Sequence, residues 1–225
     1  MSDDETQGGE KKEALSPDRD EKTKAITKAA TEQTRDLPEE AVEDRVVRLA
    51  FDGDRARWEQ FVDALREAIP PDVTVVLRGS AVVGRRWING EPFDAHGRGT
   101  SDLDLTLVGG DMLKLWNPDA FYIPKLHTVP LSDDSPHVCP SLLPLRRALS
   151  TIARRPVNIQ ATSSIVQYAR DVLMDQPYFT VLDADEREHE MARWEAEEAA
   201  RRARRRAEAA AERAEGALGP DGRPR

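Results

Sequence analysis

A chain of 225 residues, 39% hydrophobic and 33% charged, carries enough apolar material for one well-formed core with polar appendages. No apolar run approaches the roughly eighteen residues that a bilayer span needs, and the acidic N-terminus lacks the charged-then-apolar pattern of a signal peptide; a cytoplasmic protein with no membrane partner is expected, and the lone Cys139 excludes an internal disulfide. The net charge of −9 is concentrated before Arg45, where 14 acidic side chains face 7 basic ones, so the near-neutral remainder has no basic stripe of the kind that tight, sequence-independent binding to duplex nucleic acid requires.

Residues 1–36 are almost free of large apolar side chains and cannot bury enough surface to offset their ordering entropy, which predicts a disordered acidic tail. Residues 37–183 carry the expected mixed α/β domain, a small mixed sheet flanked by helices. Asp36 is placed to cap a helix starting near Pro38, with Val42, Val46 and Leu49 on one face and an end at Gly53. Asp54 is placed to cap a second, in which Trp58, Phe61, Val62, Leu65 and Ile69 recur at helical spacing. Val73, Val75, Val76 and Leu77 then read as a buried strand leading into Arg78-Gly79-Ser80. Asn89-Gly90 marks a turn in an inserted hairpin or loop.

Leu103, Leu105, Leu107 and Val108 form a second apolar strand, yet Asp102 and Asp104 interrupt it. Side chains alternate across a strand, so the two carboxylates share one face, with about 7 Å between their Cα atoms at about 3.3 Å per residue. An Asp-Leu-Asp triplet alone reads as a surface turn or a helix face; inside an apolar frame it calls for a divalent ion or a basic partner, because unpaired buried carboxylates are costly.

Beyond Gly110, Pro118, Pro124, Pro130 and Pro136 rule out a long regular element. His127, His137 and Cys139 in this stretch lack the spacing of a zinc site and read as isolated loop residues. Leu142, Leu145, Leu149 and Ile152 mark an amphipathic helix. Residues 156–160 make a third strand, Val157 and Ile159 pointing one way and Asn158 and Gln160 the other. A helix from Ser163 or Ser164 through Leu173 and a last strand at residues 178–182 complete the domain. Residues 184–225 are a helical tail rich in Ala, Arg and Glu, with i,i+4 pairs Glu197 to Arg201 and Glu198 to Arg202. That tail reads as a solvated helix; the run Arg201 to Arg206 is its alternative as a contact for a protein partner or nucleic acid.

A strand ending in Gly79-Ser80, followed by an acid-apolar-acid strand at Asp102 and Asp104, resembles the nucleotidyltransferase superfamily of the DNA polymerase beta type, which includes the poly(A) polymerases and aminoglycoside nucleotidyltransferases. The resemblance covers residues 73–110. It implies a polymerase-beta-like fold and transfer of a nucleoside monophosphate from an Mg²⁺- or Mn²⁺-bound nucleoside triphosphate, ATP as first choice, to a hydroxyl on a small molecule, protein or RNA. It also implies that Asp102 and Asp104 hold the metal, that Gly79, Ser80 and Ser101 contact the nucleotide, and that Asn158 stands where polymerising members carry a third carboxylate. An amide cannot take a proton there, so a catalytically silent nucleotide-binding module, or a protein-interaction module of the same fold, is the rival expectation.

Overall fold

The structure, a computed structural model, describes residues 17–171 and 176–216. It is a mixed α/β domain built on a six-stranded, mostly antiparallel sheet. The strands are β1 (Thr74–Arg78), β2 (Leu103–Val108), β3 (Phe121–Ile123), β4 (His127–Thr128), β5 (Val157–Thr162) and β6 (Phe179–Leu182), in spatial order β3-β4-β5-β2-β1-β6. Only the central β2–β5 pair is parallel, aligning Asp104 with Asn158 and Thr106 with Gln160. β1 lies antiparallel to β2 and brings Arg78 opposite Asp104.

Alternation of side chains gives the sheet two unlike faces. Val75 and Leu77, Leu103, Leu105 and Leu107, and Val157, Ile159 and Ala161 join one continuous core. Helices α2 (Glu39–Ala50), α3 (Arg55–Ala68) and α5 (Leu143–Ala153) contribute Val46, Phe61, Leu65 and Leu149 to that core. Burial of each such side chain stabilises by roughly 1.5–3 kcal/mol, which fixes the register, because a slip of one residue would carry every strand leucine to the opposite face. The opposite face carries Arg78, Asp104, Thr106, Asn158 and Gln160 in register. Helix α6 (Ile165–Asp171) covers part of it through the buried Tyr168.

Several boundaries differ from expectation. Pro38 occupies the N-cap position of α2, without a side-chain bond, so Asp36 is not its cap; the helix stops at Ala50 rather than Gly53 because Phe51 turns into the core. Asp54 does cap α3, accepting from the Arg57 amide at 3.1 Å. Residues 111–116 hold a short 3-10 turn, and the proline-rich stretch contributes the short strands β3 and β4. The tail expected to be disordered contains helix α1 (Pro17–Arg35). Threonines rather than large apolar residues face inward from it. Thr27, Thr31 and Thr34 are buried, and Thr34 Oγ1 accepts from Arg45 Nη1 at 2.7 Å while the same nitrogen reaches the Val82 carbonyl. Helix α7 (Ala184–Gly216) carries the anticipated Glu197–Arg201 and Glu198–Arg202 pairs. The expectations for residues 1–16, for Val172 and Leu173, and for fraying beyond Gly216 lie outside the described residues. Among the described residues no helix is long and apolar enough to cross a membrane.

Candidate active site

The site face starts at the turn from β1 into helix α4 (Ser80–Val83). Gly79 has φ +80° and ψ −151°, a region essentially restricted to glycine. A Cβ at that position would sit 3.2 Å from Asp104 Oδ2, so two independent constraints select glycine. The backbone therefore passes directly over the second carboxylate, and Ser80, half-buried, begins α4 beside it.

Asp102 and Asp104 meet through Asn158. The Asn158 amide donates from Nδ2 to Asp102 Oδ2 at 2.6 Å and to Asp104 Oδ1 at 3.2 Å. Arg78 Nη1 stands 3.7 Å from the other oxygen of Asp104, and both side chains are about one-fifth exposed, at 20% and 23%. Burial pushes the Asp104 carboxyl above the ordinary carboxylate range; the Arg78 guanidinium pulls it down, Asp102 pushes it further up, and the Asn158 amide opposes that rise. One arginine and one amide thus leave the carboxylate pair short of positive charge. A divalent cation would relieve that shortage, and two hard carboxylate oxygens with an amide that can turn its oxygen inward fit Mg²⁺ or Mn²⁺. Among the described residues no group of three or more His, Cys, Asp and Glu side chains is placed to hold a metal, so the remaining ligands would be substrate phosphate and water.

Ser101 does not join this cluster. It is buried; its amide donates to Asp94 Oδ1 at 2.8 Å and its hydroxyl accepts from the Asp94 amide at 2.9 Å. Its carbonyl accepts from Arg155 Nη1 at 3.1 Å. These bonds make Ser101 an anchor next to Asp102.

Behind the carboxylates lies a polar layer that spacing alone did not reveal. Thr106 Oγ1 bonds the Tyr168 hydroxyl at 3.0 Å, and the Tyr168 ring lies 4.8 Å from His127. His127 Nδ1, Gln160 Oε1 and Arg78 Nε are buried there without hydrogen-bond partners among the described residues. Burial, reinforced by the charge of Arg78, lowers the His127 imidazole to about 4, so it is neutral at physiological pH. Its signal in the sequence was only a histidine in a loop. No protein-family model, no curated protein and no solved structure matches this chain.

Proposed function

We propose that this chain is a nucleotidyltransferase of the polymerase-beta type, moving a nucleoside monophosphate from a nucleoside triphosphate, ATP first, onto a hydroxyl acceptor. The observation that carries this reading is the convergence of Asp102 and Asp104 with the Gly79–Ser80 turn on the polar face of the sheet. Asp102 and Asp104 would hold Mg²⁺ or Mn²⁺. The bound metal neutralises charge on the triphosphate and acidifies the acceptor hydroxyl. The side-chain-free Gly79 lets the β- and γ-phosphates approach the α4 amides and Ser80, and Arg78 offers a cation beside them. The acceptor O–H loses its proton, its oxygen bonds to the α-phosphorus, and the bond from that phosphorus to the pyrophosphate oxygen breaks.

Asn158 orients the acceptor but takes no proton, and Asp133, an alternative base in the proline-rich loop, is already bound to Arg146 at 2.8 Å. Turnover is accordingly slow. The bridging of both carboxylates by one amide favours a second reading, a module that binds nucleotide without turnover. Calorimetric titration of ATP with and without Mg²⁺ tests the shared part: Mg²⁺ tightens binding in the wild type, and Asp102→Asn with Asp104→Asn removes that gain while the fold persists. Metal-independent binding, or an unaltered gain in the double variant, refutes both. Pyrophosphate release then separates them. Asn158→Asp raises it if the transferase reading holds.

A further inference from the structure

We infer that helix α7 is a self-association surface: a second copy of this chain lies antiparallel along it, so that the acidic half of each helix meets the arginine run of the other. This interface is independent of the transferase reading. α7 is tied to the domain at its start, where the Arg187 guanidinium donates to the Ile69 carbonyl at 2.8 Å and to the Pro70 carbonyl at 3.0 Å. From Glu188 to Arg206 every residue is exposed except the half-buried Glu198. Met191 and Trp194, 48% and 63% exposed, stand on one wall of a groove of about 610 Å³ whose other wall is Ile69, Pro70 and Pro71 at the end of α3.

The order of charge along α7 selects the occupant. Residues 185–200 carry seven acidic and two basic side chains, whereas five of the six residues 201–206 are arginine. A helix that is merely solvated is stabilised by opposite charges three or four residues apart. Arg201 and Arg202 have such partners in Glu197 and Glu198, but Arg204, Arg205 and Arg206 have no ion-pair partner among the described residues. The helix dipole does not explain the run, because α7 continues beyond Arg206 to Gly216 and the dipole acts within the last turn. Met191, Trp194, Glu198, Arg201 and Arg205 follow one another at intervals of three, four, three and four residues, the spacing of a seam along one helix face. A parallel second copy would stack Glu198 on Glu198 and arginine on arginine. An antiparallel copy, related by a twofold axis between Ala199 and Ala200, sets Glu198 of each helix against Arg201 of the other and Trp194 of each against Arg205 of the other, where a guanidinium can stack on the indole. The far end of the second helix then enters the groove beside Met191 and Trp194. The two α7 starts lie about 46 Å apart at about 1.5 Å per residue, which keeps the two domains apart. A polyanion would answer the arginines alone and be repelled by the acidic half; a second copy answers both.

Sedimentation velocity of the full chain, from about 1 to about 200 µM and at about 50 and about 500 mM salt, tests this. The chain passes from monomer to a dimer of twice its 25.1 kDa mass as concentration rises, and high salt shifts it back. Glu198→Arg and Arg201→Glu each set like charges against one another twice across the axis and weaken the dimer roughly tenfold. Mixing the two variants restores wild-type association, a recovery that loss of the helix would not allow. Trp194→Ala weakens the dimer by a similar factor. A wild type that stays monomeric throughout at low salt, or a dimer that ignores both charge reversals, overturns the inference. A monomer that instead binds a short oligoribonucleotide, and loses it on Arg204→Gln with Arg205→Gln, assigns the run to a polyanion and overturns the inference as well.

Discussion

Replacing Arg155 by methionine removes the side chain that ties three separate segments together. Its guanidinium donates to both oxygens of Asp94 at 3.0 and 3.2 Å, to the Ser101 carbonyl at 3.1 Å, and through Nε to the Ala50 carbonyl at 3.0 Å. The last bond satisfies an end carbonyl of α2, and the guanidinium also lies 4.7 Å from the centre of the Phe93 ring. Only 2% of the Arg155 side chain and 16% of Asp94 are exposed. Methionine keeps much of the volume but leaves the carboxylate and two carbonyls without their donor. Breaking a buried pair in this way costs about 3–5 kcal/mol, or roughly 6–20 °C in melting temperature for a chain of this size. Urea unfolding and thermal melts check this. The carboxyl of Asp94 gives a second readout. Burial pushes it up, but hydrogen bonds from Arg155, Gly99 and Ser101 together hold it below the ordinary range. A depressed carboxyl contributes stability above its unfolded pKa of about 4, and that contribution disappears as pH falls through the folded value; Arg155→Met reduces the acid-side loss. A drop of less than about 3 °C would show that the network is not holding the loop, and the reasoning would fail.

Gly79→Ala combines a forbidden backbone conformation with an intrusion on Asp104, and is expected to cost about 1–3 kcal/mol and to abolish Mg²⁺-dependent tightening of ATP binding, read by urea unfolding and calorimetry. Unfolded histidine binds a proton below about 6.5 whereas folded His127 does so only below about 4, so its contribution is complete above the first value and is lost as pH falls between the two. Wild-type stability therefore declines by about 2 kcal/mol more than that of His127→Gln on going from about pH 7 to about pH 5, measured by urea unfolding at both. Thr34→Val deletes the acceptor that holds Arg45 against α1 and lowers stability by about 1–2 kcal/mol, with equal melting temperatures the refuting result.

The elements legible in the sequence are those whose stabilisation is local or periodic. The α3 stripe of Trp58, Phe61 and Leu65, its Asp54 cap, and the alternation of Val157 and Ile159 with Asn158 and Gln160 all follow from 3.6- and 2-residue repeats that the core reads directly. Asp102, Asp104 and Asn158 come together as the shared face required. Helix α1 escaped notice because threonines, whose hydroxyls must find partners, supply its buried side; Thr27 and Thr34 satisfy theirs on carbonyls four residues back. The bonds that anchor Ser101 were not legible for a different reason. Its partners, Asp94 and Arg155, lie 7 and 54 residues away, and no spacing rule joins an aspartate in an inserted loop to an arginine at a helix end.

The single parallel pairing at the centre of the sheet has a kinetic consequence. β1 and β2 can pair as soon as both have emerged, and that pair already sets Gly79 against Asp104. Asn158, 54 residues beyond Asp104, arrives only after β3, β4 and α5 have been laid down and the crossover has closed, an event whose entropy penalty grows with the logarithm of its length. Such non-local closure is slow relative to helix formation. During folding the two aspartates consequently stand together, uncompensated by the amide, until the last central strand docks. Their mutual repulsion opposes collapse in that interval, so divalent cations should speed refolding of the wild type and leave the doubly amidated Asp102→Asn/Asp104→Asn chain indifferent.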